Sequence, residues 1–214
     1  MEAQSQPPRI TWASVFRQTP PRPVADGEAL VIPGEKLSRL YYLERGRLRC
    51  SVVSEGGMTK TVLYYWPGDI CGETHIFDPA RTVPLLITSS GPSTVRSLGL
   101  PEARRIMAMN PRLAEELMAS LSRKTLAMVE HIRQLRFLPV EARVAEFLHV
   151  MYTRVGCTSG DLHLTHEEIA DYVGAHRVSV TEALRRLELA GAIQTGRGRI
   201  AVRDPGELQR AAGR

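Results

Sequence analysis

Residues 165–203 constrain the chain most, because two helix signals, a glycine turn and a hairpin follow one another there without a spare residue. Thr165-x-x-Glu168 is a capping box, in which the threonine oxygen and the glutamate carboxylate satisfy orphan amides at a helix start. Ile169, Ala170 and Val173 give the short helix one apolar stripe, and Gly174 supplies the left-handed residue that ends it. A second helix follows, with Val180, Leu184 and Leu187 as its buried line. His176, Arg177, Val178, Ser179, Thr181, Glu182, Arg185 and Arg186 are left off that line. Residues 193–202 read as a hairpin with Gly196-Arg197-Gly198 at its tip. Two helices about a tight turn, followed by such a wing, predict a winged helix-turn-helix whose second helix suits a major groove.

Charge agrees with this reading. Residues 139–214 as a whole carry ten arginines and ten acids, yet residues 176–203 hold six arginines against two glutamates. That local excess is the footprint of a phosphate-binding surface. Arginine can read guanine O6 and N7, and glutamate can accept from cytosine N4. Glu182 has a plainer role as well, as an i+3 or i+4 partner of Arg185 or Arg186.

Upstream, short β runs at 30–32, 39–44, 47–54, 60–65, 85–89 and 94–98 alternate with Pro-Gly and Gly-Gly turn signals, which predicts a small antiparallel β-roll of jelly-roll type. The first 25 residues contain five prolines and read as an irregular leader with one helical turn at 12–16. A short helix at 101–109 ends at Asn110-Pro111, a start signal for a long helix running to about residue 137. Its apolar residues Leu113, Leu117, Leu121, Met128, Ile132 and Leu135 form a narrow seam over a rod of about 40 Å. A seam of that length predicts a parallel coiled-coil homodimer through residues 110–138, the alternative being a helix lying along its own barrel. The expected class is therefore α+β. A sensing β-roll occupies 1–109, a dimerisation helix 110–138 and a winged helix-turn-helix 139–214.

Composition excludes other classes. No apolar stretch approaches 18 residues and residues 1–10 lack a secretory core, so a cytoplasmic protein with no membrane segment is expected. Cys50, Cys71 and Cys157 are odd in number and widely spaced, unlike a disulfide framework or a CxxC metal site. A metal-dependent β-barrel enzyme of cupin type needs several converging histidines, and the barrel region supplies only His75. Neither catalytic nor metal-ligating residues are predicted. A purely oligomeric binding module, with the basic wing incidental, is the remaining alternative.

The order of elements resembles the cyclic AMP receptor protein/FNR superfamily of bacterial transcription regulators. Pro33-Gly34-Glu35, Tyr42-Leu43-Glu44-Arg45-Gly46, Gly57, Pro67-Gly68-Asp69-Ile70-Cys71-Gly72-Glu73, Arg81-Thr82, Asn110-Pro111 and the run from Val173 to Val180 carry the resemblance. It implies double-stranded DNA and RNA polymerase as partners, and an effector held between β-roll and long helix. By the same resemblance Arg177, Val178, Glu182 and Arg185 face base edges, His176, Ser179 and Thr181 reach bases or phosphates, and Arg186, Arg197 and Arg199 reach phosphates. In cyclic-nucleotide members a Gly-Glu pair holds the ribose and an Arg-Ser/Thr pair the phosphate, positions taken here by Gly72, Glu73, Arg81 and Thr82. Met128 and Val129 stand where cyclic AMP receptors present hydroxyls to adenine. Leu63-Tyr64-Tyr65 and Gly174-Ala175-His176 are locally similar to activators of halorespiration genes that sense chlorinated phenols. The effector implied is a small organic or aromatic molecule with Tyr64 in its site, then cyclic AMP, then haem on Cys71 or His75.

Overall fold

The structure, a computed structural model, describes residues 10–77, 82, 85–155 and 161–213. The chain forms two compact units, Met1–Met58 with Leu63–Ala127 and Thr59–Val62 with Met128–Arg214. Their boundary falls inside one long helix and also cuts the strand Thr59–Tyr65, whose first four residues belong to the second unit.

In the first unit two antiparallel sheets carry the β-roll. One has the order β1 (Arg22–Val24), β8 (Ser93–Gly99), β3 (Arg39–Arg45), β6 (Ile70–Cys71). The other has the order β2 (Ala29–Val31), β7 (Leu85–Ser89), β4 (Leu48–Val53), β5 (Thr59–Tyr65). Around them lie α1 (Trp12–Phe16), α2 (Thr74–Phe77), α3 (Leu100–Met109) and the start of α4 (Pro111–Phe137). β1 falls in the segment read as irregular from its prolines. Pro23 is tolerated because β1 is an edge strand, where one missing amide costs the ladder little.

The core of this unit joins Trp12, Val15 and Phe16 to Leu40, Ile70, Ile76, Leu98, Leu100 and Ala103, and takes in Leu113 and Leu117 of α4. Trp12 Nε1 donates to the Leu113 carbonyl at 2.8 Å, and Phe16 stacks on Tyr42 at 5.3 Å between ring centroids. This corrects the expected seam. Leu113 and Leu117 are fully buried in their own unit, so neither is available to a second helix. The exposed apolar residues of α4 are Met118, Leu126, Val129, Ile132 and Phe137, all more than half exposed. An α-helix facing a core with one stripe is free to carry a second apolar stripe elsewhere, and periodicity alone does not say which is inside.

The second unit packs α5 (Val140–Val155), α6 (His166–Val173), α7 (Arg177–Leu189) and α8 (Pro205–Ala211) with a three-stranded sheet, order β10 (Ile193–Gly196), β11 (Arg199–Val202), β9 (Asp161–Leu162). Phe147, Leu148, Met151, Ile169, Val173, Val180, Leu184 and Leu187 fill its core. α8 is absent from the sequence reading although its signal is present: Asp204 caps the Glu207 amide at 3.0 Å and Pro205 opens the helix.

Candidate nucleic-acid interface and effector cradle

The capping box forms as expected, with Thr165 Oγ1 accepting from the Glu168 amide at 3.1 Å and Glu168 accepting from the Thr165 amide at 2.8 Å. Gly174 sits at φ +62°, and a Cβ there would lie 2.8 Å from Leu135 Cδ2. Conformation and space thus both demand glycine at the turn.

Val180, Ala183, Leu184 and Leu187 bury one side of α7 completely. The other side leaves His176, Arg177, Val178, Thr181, Glu182, Arg185 and Arg186 exposed, with Ser179 half-buried and Val178 70% exposed. Among the described residues, Arg177, Arg185 and Arg197 have no ion-pair partner. Arg186 instead pairs with Glu141 of α5, and Arg199 with Asp161 of β9 at 3.1 Å. The expected pairing of Glu182 with Arg185 or Arg186 within the helix does not form, and Arg186 turns to Glu141 instead. Glu188 is not a free charge either. It accepts from the Thr195 amide at 2.7 Å and from its hydroxyl, tying β10 to the end of α7. Arg197 and Arg199 are exposed on the hairpin.

One polar contact on this face was invisible in the sequence. His166 Nδ1, at the first residue of α6, lies 2.9 Å from Thr181 Oγ1 on α7. Thr181 Oγ1 also donates to the Arg177 carbonyl at 3.0 Å. With its single proton spent there, the hydroxyl accepts from His166, so Nδ1 carries the imidazole hydrogen. No motif spacing signals a pair fifteen residues apart.

In the first unit the residues matching a cyclic-nucleotide cradle meet an unforeseen neighbour. Gly72 has φ +93°, and a side chain there would press into Leu37 and the Arg39 carbonyl, the latter at 2.8 Å. Glu73, only 2% exposed, is ion-paired by Lys124 of α4. The Lys124 ammonium also donates to the Ile70 carbonyl and lies 5.0 Å from the Tyr65 ring centroid. Its three hydrogens therefore have a carboxylate, a carbonyl and a π face to meet.

Burial raises the Tyr65 phenol well above the usual range. Burial also lifts the Cys50 thiol to about 11 and the Cys71 thiol further, which makes both poor metal ligands and poor redox sensors. Tyr64, the tyrosine expected in the site, packs instead with Arg47, 5.1 Å over its ring, and with Trp66. Adjacent strand residues face opposite sides of a sheet, and it is Tyr65 that faces Glu73 and Lys124.

Thr82 is exposed, while Arg81 and the His75 side chain lie outside what the structure describes. Met128 is half-buried and Val129 exposed on the later part of α4, in the other unit. No group of three candidate metal ligands occurs among the described residues.

An antiparallel β-roll, a long helix and a winged helix-turn-helix with an unpaired arginine face define a transcription regulator with a DNA-binding head and a ligand-binding-type barrel. The model of the Crp-like helix-turn-helix domain matches residues 142–211, and that of the cyclic nucleotide-binding domain matches residues 21–110. The chain belongs to the cyclic AMP receptor protein/FNR superfamily. It is 28% identical over 207 residues to the CRP-like cAMP-activated global transcriptional regulator of Mycobacterium tuberculosis, covering 94% of this chain and 91% of that protein. Among solved structures, FixK2 from Bradyrhizobium japonicum matches with TM-score 0.80 and 20% identity, over 90% of this chain and 96% of that one. A CRP-family transcriptional regulator from Thermus thermophilus matches with TM-score 0.76 and 25% identity, over 90% of this chain and 97% of that one. The Mycobacterium tuberculosis and Thermus thermophilus proteins are named as transcriptional regulators rather than enzymes, which removes the cupin alternative. Among the described residues no helix is long and apolar enough to cross a membrane.

Proposed function

We infer that the chain acts in the cytoplasm as an effector-responsive homodimer that lays α7 into the major groove of a palindromic duplex and activates transcription through RNA polymerase. The observation that carries this reading is the exposed, unpaired face of α7, with Arg177 and Arg185 flanking Val178, Thr181 and Glu182. Arginine forks match guanine O6 and N7, and Glu182 accepts from cytosine N4. Arg197 at the wing tip meets phosphate. Arg186 and Arg199 are held by acids of their own chain and give weaker phosphate contacts. His176 and Ser179, at the start of the helix, complete the backbone contact.

A second exposed line of α4, apolar at Met118, Val129 and Ile132 with Ser122 and Thr125 between, supports the dimer. Met118, Ser122, Thr125, Val129 and Ile132 step by four and three, the coiled-coil repeat, and Met118, Val129 and Ile132 are 54%, 57% and 64% exposed. A two-fold pair of heads reads two half-sites about one helical turn apart.

For the effector, the Glu73–Lys124 pair favours a small organic or aromatic molecule. Lys124 neutralises Glu73, so an acidic aromatic meets no bare carboxylate. A second reading, cyclic AMP, is favoured by the cyclic nucleotide-binding match and by cAMP-activated relatives, with Glu73 as ribose acceptor once Lys124 withdraws. Haem has the least support, given the buried thiols.

Gel-shift titration on duplexes selected from a random library tests the DNA reading. Arg177→Ala and Arg185→Ala should each weaken the specific complex by ~1–3 kcal/mol and relax preference at one base pair. Unchanged affinity and preference in both variants would refute this facing of α7. A thermal-shift screen with cyclic AMP, aromatic acids, phenols and haem tests the effector, since a bound ligand raises apparent stability by mass action.

A further inference from the structure

Resting on the DNA-binding reading of α7, we propose that His166 pins Thr181 so that this threonine, with Val178, reads thymine methyl groups rather than donating hydrogen bonds to the duplex. Thr181 Oγ1 donates to the Arg177 carbonyl one turn back and accepts from His166 Nδ1, so the hydroxyl has its donor and one lone pair engaged inside the protein. A tetrahedral Cβ with its oxygen turned to the helix backbone and to α6 presents its methyl elsewhere. Thr181 is nonetheless exposed, and with its oxygen engaged the methyl is the group left to meet a base.

Val178 lies three residues earlier on the same helix face and is 70% exposed, an unusual use of a large apolar side chain on a polar helix. The two give adjacent methyl-bearing positions on the groove face, with Arg177 and Arg185 on either side in sequence. The 5-methyl of thymine is the apolar feature of the major groove, and alanine, valine or threonine methyls recognise it by contact. His166 is then a positioning residue. It touches no base itself, and it decides which side of Thr181 faces the groove.

The test uses the full-length protein and random duplexes selected in the presence of a protein-free small-molecule extract of the producing cells, so that any effector is supplied. In the enriched duplex each thymine is replaced in turn by deoxyuridine, which removes the methyl alone. At two positions per half-site the replacement should weaken binding about fourfold, the worth of one buried methyl. Thr181→Ser should erase the thymine-to-uracil ratio at one of these positions and Val178→Ala at the other. His166→Ala should lower the ratio at the Thr181 position only. In Thr181→Val, which keeps the methyls without a hydroxyl to steer, adding His166→Ala should leave that ratio alone. A general loss of stability would not move the ratio at one base pair. If no thymine is uracil-sensitive, or the ratios ignore Thr181→Ser and His166→Ala, the proposal falls while DNA binding stands. If no duplex is enriched, the reading of α7 falls with it.

Discussion

His131 makes the helical unit sensitive to acid, and the effect can be sized. It lies on α4, 5% exposed, with its ring 4.4 Å from Tyr172 of α6, whose own ring stacks on Phe147 of α5 at 4.6 Å. Neither ring nitrogen has a hydrogen-bond partner among the described residues. Burial therefore penalises the cation and lowers the pKa from 6.5 to about 4. A base whose folded pKa is depressed takes up its proton first in the unfolded chain. Stability is complete above pH 6.5, declines as pH falls below that value, and reaches its floor below pH 4. At about 1.4 kcal/mol per pH unit the ceiling is about 3 kcal/mol, of which about 2 kcal/mol is already lost at pH 5.

His131→Leu removes the titration. Urea unfolding at pH 7.5 and pH 5, followed by far-UV circular dichroism, should show the wild-type helical transition losing about 2 kcal/mol more than the variant. Both tryptophans, Trp12 and Trp66, lie in the other unit, so their fluorescence transition is an internal control. Equal losses in the two proteins would refute the argument. The variant should also gain at pH 7.5, because a buried unpaired N–H costs about 1–3 kcal/mol.

Arg197→Ala at the wing tip should weaken binding to all sequences alike and reduce the salt slope of log K by about one unit, read from gel shifts at several salt concentrations. Lys124→Met strands the buried Glu73 carboxylate and should cost about 3–5 kcal/mol, with much of the loss restored in the Lys124→Met/Glu73→Gln double variant; a harmless single variant would mean that the pair does not hold the cradle. Val129→Asp places a charge on the exposed stripe of α4, and sedimentation should show it shifting the protein from dimer to monomer while the helical signal persists. A variant that stays dimeric would move the interface off this face.

The chain's local signals sufficed for much of this. Thr165, Glu168 and Gly174 bound α6 in sequence as they do in space, since caps and turns are written within four residues. The β-roll strands were legible from glycine and proline punctuation, apart from β1 and the two-residue β6, too short or too proline-rich to show a period. Tertiary structure decided what periodicity leaves open. α4 carries two apolar stripes, and only packing against Trp12 and Phe16 determines that Leu113 and Leu117 turn inward while Met118, Val129 and Ile132 stay out. The pairs that give each site its chemistry, Glu73 with Lys124, Thr181 with His166 and Arg186 with Glu141, join residues 51, 15 and 45 positions apart. Nothing in a local pattern selects those partners, because each acid or hydroxyl has several candidate donors along the chain. The fold selects among them by bringing one within hydrogen-bond reach.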